Sequence, residues 1–395
     1  MTVIPATLSD NQRAVLALWY EVNASLSAYH KLVTAFGSAR QAWIAKVGAW
    51  KQLGIHHSHL KRHEEEQQTL DSIDKIEQAL IAGKYQLLFA EQPQFPVQLL
   101  QIFDPPPLLF CRGNAERLNQ AQIAIVGSRK PTNHAQKTTF DMAQYLAQVG
   151  YVITSGLAMG VDKRAHLGAL AQTDPDYQGR TIGVMGTGID IRYPNHHDQL
   201  FIQIIEQGGC LISELLPHTQ PHKHTFPRRN RLVAGLSLAT IVTEATIKSG
   251  SLITARLTSE QGKQVFAIPS HIDNSNAEGC HHLIREGATL IYHPEQVLND
   301  VSAQLNYQPN QLKSIKASVK NHTKQLTASK PTSIASQVTI SEHLTAVYEQ
   351  LDWHGQDLDA LLVSTELPPP QLIGQLMELE LLGAISVQGG RYLRV

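Results

Sequence analysis

Through residues 10–80 apolar positions recur every three or four residues, as in Val15, Leu18, Trp19 and Val22, which predicts short amphipathic helices. Gly37, Gly48 and Gly54 stand where turns between them are expected. Residues 1–80 are therefore read as an all-α domain of the SAM or helix-hairpin-helix type. Its LGI at 53–55 hints at a hairpin that touches DNA backbone, although a plain structural or interaction role is the simpler reading.

From about residue 84 the pattern changes. The segment YQLLFAEQPQFPVQLLQIFDPPPLLFCRGN holds apolar runs broken by prolines, which suits extended chain at a sheet edge. The runs IAIVG (123–127), YVITSG, TIGVMGTG, CLISE, LATIVTE, QVFAIP and ATLIYH then follow, apolar on both faces and mostly separated by helical patterns such as 134–149 and the helix from Val161. Strands buried on both faces and alternating with helices predict a parallel sheet covered on both sides. The fold class expected is α/β, a doubly wound, mostly parallel Rossmann-like sheet over 81–305. Residues 306–338 are polar and aperiodic and read as a flexible basic linker. Residues 339–395 read as a winged-helix domain: a helix opens at the prolines 368–370, ends at Gly383, and a hairpin turns at Gly389–Gly390.

Composition narrows the class. At 42% hydrophobic and 17% charged residues, with no run of about 20 apolar residues, the chain reads as soluble and globular. The start MTVIPATLSDNQ lacks the basic stub and apolar core of a secretory signal, and Cys111, Cys210 and Cys280 lie far apart. A reducing, cytoplasmic setting is expected. The net charge of −1 hides regional asymmetry. Residues 1–80 carry eight basic and eight acidic side chains, 222–264 carry 7 − 2 = +5, 306–338 hold five lysines and no acid, and 340–395 carry 2 − 8 = −6.

Candidate chemistry gathers at the strand ends, where ligands of doubly wound sheets bind. There the chain places Gly127-Ser128-Arg129, Ser155-Gly156, Gly186-Thr187-Gly188 and, before a later helix, Lys248-Ser249-Gly250-Ser251. Glycines let an anion approach backbone N–H groups, and helix N-termini add positive potential. Tight turns alone explain any one such loop. Four of them beside Arg129, Lys248 and the run TFPRRNRL, with Arg228, Arg229, Asn230 and Arg231, predict an anion-binding mouth. GTGIDI lacks the third glycine of a dinucleotide fingerprint, and no G-x-x-x-x-G-K-[ST], G-x-S-x-G or H-E-x-x-H occurs. Asp162, Asp190, Glu214 and Glu244 could be general bases but are read as helix caps or holders of the arginines. His218, His222 and His224, and Cys280-His281-His282, have no recognised metal spacing. No catalytic residue, cofactor or metal is expected.

The run from 123 to 290 resembles the DNA-processing protein A family, also called DprA or Smf. The blocks that carry the likeness are VGSR (126–129), SGLAMGVD (155–162), GTGID with YP (186–190, 193–194), SELLP (213–217), FPRRNRLVAGLS (226–237), VTEATIKSGSLITA (242–255), GKQVFAIP (262–269) and LIREGATL (283–290). The resemblance implies a homodimeric, non-enzymatic protein of natural transformation that binds and protects single-stranded DNA and loads the RecA recombinase. Single-strand-binding protein is a further implied partner. It places the DNA pocket at Gly127, Ser128 and Arg129, with Arg228, Arg229, Asn230 and Arg231, and with Ser249, Gly250 and Ser251 as backbone donors. Met159 replaces the arginine of the family's usual SGLARG block, and Pro217-His218 stands where Pro-Gly is frequent. Bases are expected to stack on Phe226 or Tyr193, unless those rings are core. The winged helix has no Lys or Arg between Pro369 and Leu382, so it is expected to dock a protein, or to occupy the basic mouth, rather than bind DNA. The alternative reading is a nucleotide hydrolase of the lysine-decarboxylase-like type, whose P-G-G-x-G-T-x-x-E motif is missing here.

Overall fold

The computed structural model describes residues 8–172, 179–307, 341–351, 356–365, 367–382, 384–388 and 391–394. Residues 1–322 and 323–395 form two compact units.

The first unit begins with six helices: α1 (Asp10–Glu21), α2 (Leu26–Phe36), α3 (Ala39–Trp43), α4 (Val47–Gln52), α5 (His57–Glu64) and α6 (Glu66–Ile81). Ser9 opens α1 with a reciprocal cap, its side chain accepting from Gln12 N while Gln12 accepts from Ser9 N. Gly37 ends α2 at φ +81°, a left-handed conformation that glycine adopts without strain. Gly48 corrects the sequence expectation of a turn. It lies inside α4, exposed, where a Cβ would meet nothing within 4 Å. A glycine there costs about 1 kcal/mol relative to alanine, which the packing of Trp50 on the same helix tolerates.

A nine-stranded sheet follows. It comprises β1 (Gln86–Phe89), β2 (Leu108–Gly113), β3 (Gln122–Val126), β4 (Val152–Ser155), β5 (Thr181–Val184), β6 (Cys210–Ser213), β7 (Ala239–Val242), β8 (Gln264–Ala267) and β9 (Thr289–Leu290). Their order is β1-β2-β6-β5-β4-β3-β7-β8-β9. β1 and β2 pair antiparallel with their neighbours at one edge, as their proline-broken sequence suggests, and the others are parallel. Every residue of β3 to β7 is buried, because α7 (Asn133–Gln148), α8 (Val161–Leu170), α9 (Asp198–Glu206), α10 (Thr225–Leu236), α11 (Ser251–Glu260), α12 (Glu278–Arg285) and α13 (Pro294–Tyr307) accompany the sheet. From β3 the chain steps outward through β4, β5 and β6, then returns to β7 on the other side of β3. The reversal between β3 and β7 is the topological switch point, where the carboxyl ends of strands leave a crevice.

The N-terminal helices do not stand apart from the sheet. Trp19, Leu32, Trp50 and Ile73 share one apolar cluster with Leu87, Phe89, Phe110 and Leu211 of the antiparallel edge. Burial of each such side chain is worth about 1.5–3 kcal/mol.

The second unit has α14 (Glu342–Gln350), β10 (Gln356–Asp357), α15 (Leu358–Thr365), α16 (Pro369–Leu381), β11 (Ile385–Gln388) and β12 (Arg391–Arg394), with strand order β10-β12-β11. Leu344, Leu361, Leu372, Leu376 and Leu379 form its core. Gly383 and the expected turn at Gly389–Gly390 lie outside the described residues, as does all of the 306–338 linker except its first two residues, which end α13. Among the described residues no helix is long and apolar enough to cross a membrane.

Candidate nucleic-acid interface

Because β3 to β7 are parallel, the loops singled out in the sequence all leave one end of the sheet. Helix α10 then brings its arginines to that end. A helix turns 100° per residue, so consecutive arginines cannot face one point. Arg228 and Arg231, three apart, share a face and converge on one buried carboxylate, Glu214, which follows β6. Arg228 Nε stands 2.9 Å from Glu214 Oε1, close enough for an ion pair but not aligned as a hydrogen bond, and Arg231 pairs with Glu214 Oε2. The Arg228 guanidinium also lies 5.7 Å from the Trp19 ring, and Trp19 Nε1 donates to Glu214 O at 2.9 Å. Helix α1 thus braces the arginine pair.

Arg229 points elsewhere. It is 7% exposed and sits beneath Gly156, where a Cβ would fall 1.9 Å from Arg229 Nη1 and 2.3 Å from Asp162 Oδ2. Burial raises the Asp162 carboxyl above its ordinary range although Arg229 beside it pulls the other way, and burial likewise lowers Arg229. Asn230 faces the switch point and donates Nδ2 to Gly250 O at 3.3 Å. The run read as one cluster is therefore divided three ways by helical geometry.

The four strand-end acids hold structure. Glu214 and Asp162 accompany the arginines, Glu244 accepts from Thr132 N at 3.0 Å and Thr132 Oγ1 at 2.7 Å at the start of α7, and Asp190 accepts from His218 N at 2.7 Å. His218 carries φ +66°, a left-handed conformation natural to glycine, and Asp190 Oδ2, 2.5 Å from His218 Nδ1, holds it there. Two acids at close range, Glu214 and Asp162, do not saturate the three arginines, of which Arg229 is buried and Arg228 and Arg231 partly buried. Arg228 Nε and Nη2, Arg229 Nε, and Arg231 Nε and Nη1 are buried donors without a hydrogen-bond partner among the described residues.

Around the switch point the glycine loops divide by role. Gly127 is a packing glycine, since a Cβ would meet Glu244 O and Val161 Cγ2 at 2.7 Å. Ser128 N–H is given to Glu244 O at 2.6 Å, Ser249 N–H to Thr246 O at 3.0 Å, and Ser251 N–H to Ser249 Oγ at 3.3 Å. Those amides are internally engaged, including two of the three expected backbone donors, Ser249 and Ser251. Gly250 is exposed, has open space at its Cβ, and stands at the N-terminus of α11. Arg129, Lys130 and Lys248 are exposed and form no ion pair among the described residues. Two cations counted in the basic region are placed away from the mouth. Lys263 Nζ donates to Ala234 O and Gly235 O at the far end of α10, where burial lowers it to about 8, and Arg256 pairs with Glu260 at 2.7 Å. Helix-end capping by Lys263 left no signal in the sequence beyond the charge itself.

Phe226 packs its ring under Gly186 and 5.5 Å from the 43%-exposed Tyr193 ring. Met159 is 40% exposed in the loop before α8. Among the described residues no group of His, Cys, Asp and Glu could hold a metal.

Comparison with known proteins identifies the family. The family model for DNA recombination-mediator protein A matches residues 86–302, and that for the DprA winged helix domain matches 330–391. Protein Smf of Escherichia coli is 36% identical over 311 residues, covering 79% of this chain and 78% of its own. Protein Smf of Synechocystis is 32% identical over 408 residues, 98% of this chain and 100% of its own. The X-ray structure of DNA processing protein A from Streptococcus pneumoniae superposes with a TM-score of 0.61 at 30% identity, covering 73% of this chain and 97% of that one. With the parallel sheet, the basic strand ends and both family matches in place, the chain belongs to the DNA recombination-mediator protein A (DprA/Smf) family.

Proposed function

We propose that this protein processes DNA in natural transformation by holding single-stranded DNA along the carboxyl ends of β3 to β7 and delivering it to the RecA recombinase. The observation that carries the reading is the set of exposed cations Arg129, Lys130 and Lys248 at the strand ends, next to α10 arginines that share few acids and keep several guanidinium N–H groups without a hydrogen-bond partner among the described residues. A phosphodiester backbone offers oxygens that such donors bind in pairs. Backbone contacts carry no base information, so sequence preference is weak. The protein works in the cytoplasm as a homodimer and binds without transforming its ligand; single-strand-binding protein is the competitor it meets on the strand.

The test is binding of a labelled oligonucleotide, single- against double-stranded, over a salt series. Log affinity for a single strand falls with log salt at about −0.7 per phosphate neutralised. Replacing exposed Arg129 and Lys248 by alanine removes charge at little structural cost, so the expected result is a slope flatter by about 1.4 with unchanged thermal stability. An unchanged slope would place the DNA elsewhere. RecA delivery is checked by the rate of RecA filament growth on strands pre-coated with single-strand-binding protein, which the protein should accelerate.

A further inference from the structure

One exposed aromatic residue on the mouth side belongs to none of the motifs above. Phe103 is 89% exposed, while its neighbours Leu99 and Ile102 are 0% and 6% exposed. Those neighbours press on α10 at Gly235, where a Cβ would meet Leu99 Cδ2 and Ile102 Cγ2 at 2.8 Å. Gly235 lies four residues after Arg231, on the same helix face. The loop then climbs toward the mouth. β2 runs antiparallel to β6 with Phe110 opposite Ser213, so β2 begins at the end where β6 stops and Glu214 stands. Asp104 comes close enough to act electrostatically on Arg231.

The loop is also pinned on its far side. Asp104 holds φ +57°, Pro105, Pro106 and Pro107 follow, and His30 Nε2 donates to Pro105 O at 3.0 Å. The ring of Phe103 is thus held out on a braced support, beside partly exposed Val97 and Leu100 and alongside the arginine-bearing face of α10. Single-stranded nucleic acid presents this pairing of needs: a backbone that seeks cations and bases whose faces seek an aromatic platform.

We propose that Phe103 is a base-stacking platform at the rim of the interface, receiving a nucleobase of the strand whose phosphates meet Arg228 and Arg231. The inference rests on the single-stranded DNA reading above and extends it with a subsite. Charge favours a nucleic acid over a second copy of the chain as occupant: next to the loop Arg228 and Arg231 share the single carboxylate Glu214, with Asp104 nearby, and Arg228 Nη2 and Arg231 Nε and Nη1 keep no hydrogen-bond partner among the described residues.

The test uses the full-length protein and a fluorescent oligothymidylate at 0.1 M salt. Phe103→Ala should weaken binding about 5- to 150-fold, the range expected for loss of one base–aromatic stack, with the salt slope unchanged. Phe103→Trp should bind as the wild type does, and Phe103→Leu should remain weak. An oligonucleotide of abasic residues should show no difference between Phe103→Ala and wild type. Wild-type affinity in Phe103→Ala, while Arg129→Ala/Lys248→Ala flattens the slope, overturns the stacking site and leaves the DNA reading standing. A wild-type protein that binds no single strand overturns both.

Discussion

Helices α10 and α16 each lie where a nucleic-acid reader could lie, one over the mouth of a doubly wound sheet and one in the recognition position of a winged helix. Their chemistry differs. α10 carries three arginines, all at least partly buried, and more guanidinium donors than the protein's own acids satisfy. α16 has no cation; it buries Leu372, Leu376 and Leu379 and presents Ile373, Met377, Glu378 and Glu380. A shared outline does not confer a shared ligand. Unfilled donors draw a polyanion, and an acidic apolar face repels one. The mouth is also not an open basin of charge: Glu214 and Asp162 stand against its arginines, so that in the proposed function a phosphate would compete with internal carboxylates.

The sharpest way to break this comparison is to remove the internal acid. Glu214→Ala leaves two largely buried guanidiniums without their carboxylate, and the expected loss is about 3–5 kcal/mol in urea unfolding. A loss under about 1 kcal/mol would show that solvent, not Glu214, supports the pair. Next is pH. His166 is fully buried, its Nδ1 2.7 Å from Thr181 Oγ1, and burial lowers it from 6.5 to about 4. Between pH 6.5 and 4 the unfolded chain takes a proton that the folded chain refuses. Stability therefore falls as pH drops through that window, by about 1.4 kcal/mol per unit and about 3 kcal/mol in all. His63 is also buried, which works against its charge, but its contact with Glu21 at 2.7 Å outweighs that and raises it, so it contributes the opposite trend. Comparing wild type with His166→Gln isolates the His166 contribution; equal pH profiles would refute it.

A smaller effect is expected from Gly156→Ala, whose Cβ must displace the Arg229 guanidinium. Overpacking of this kind costs about 1–3 kcal/mol, and single-strand affinity should fall with it. Retained stability and affinity would mean that Arg229 moves freely. The smallest effect belongs to the second unit. Ending the chain after residue 335 removes a region of net −6 and should tighten single-strand binding a fewfold at low salt, fading at 0.5 M as screening shortens. Weaker binding after truncation would assign α16 a direct role in holding DNA.

What the residue pattern alone decided is the architecture and the basic, glycine-rich chemistry at the strand ends. Runs such as IAIVG and LATIVTE are apolar on both faces, and only a strand covered on both sides satisfies that. Glycines, Arg129 and the α10 arginines at strand ends can be read from sequence as groups suited to an anion, because local chemistry is written in residue type. The fold decided which of these groups are available. Helical phase sent Arg229 under Gly156 and Arg228 with Arg231 to Glu214, strand pairing engaged the Ser128 amide, and Lys263 turned out to cap the far end of α10. Phe103 is one apolar letter in a proline-broken segment, and only the antiparallel placement of β2 beside β6 sets it at the rim of the mouth. Sequence spacing fixes what a side chain is and how its own element turns, whereas its partners lie far away in the chain, and only packing can bring them together or leave it unfilled.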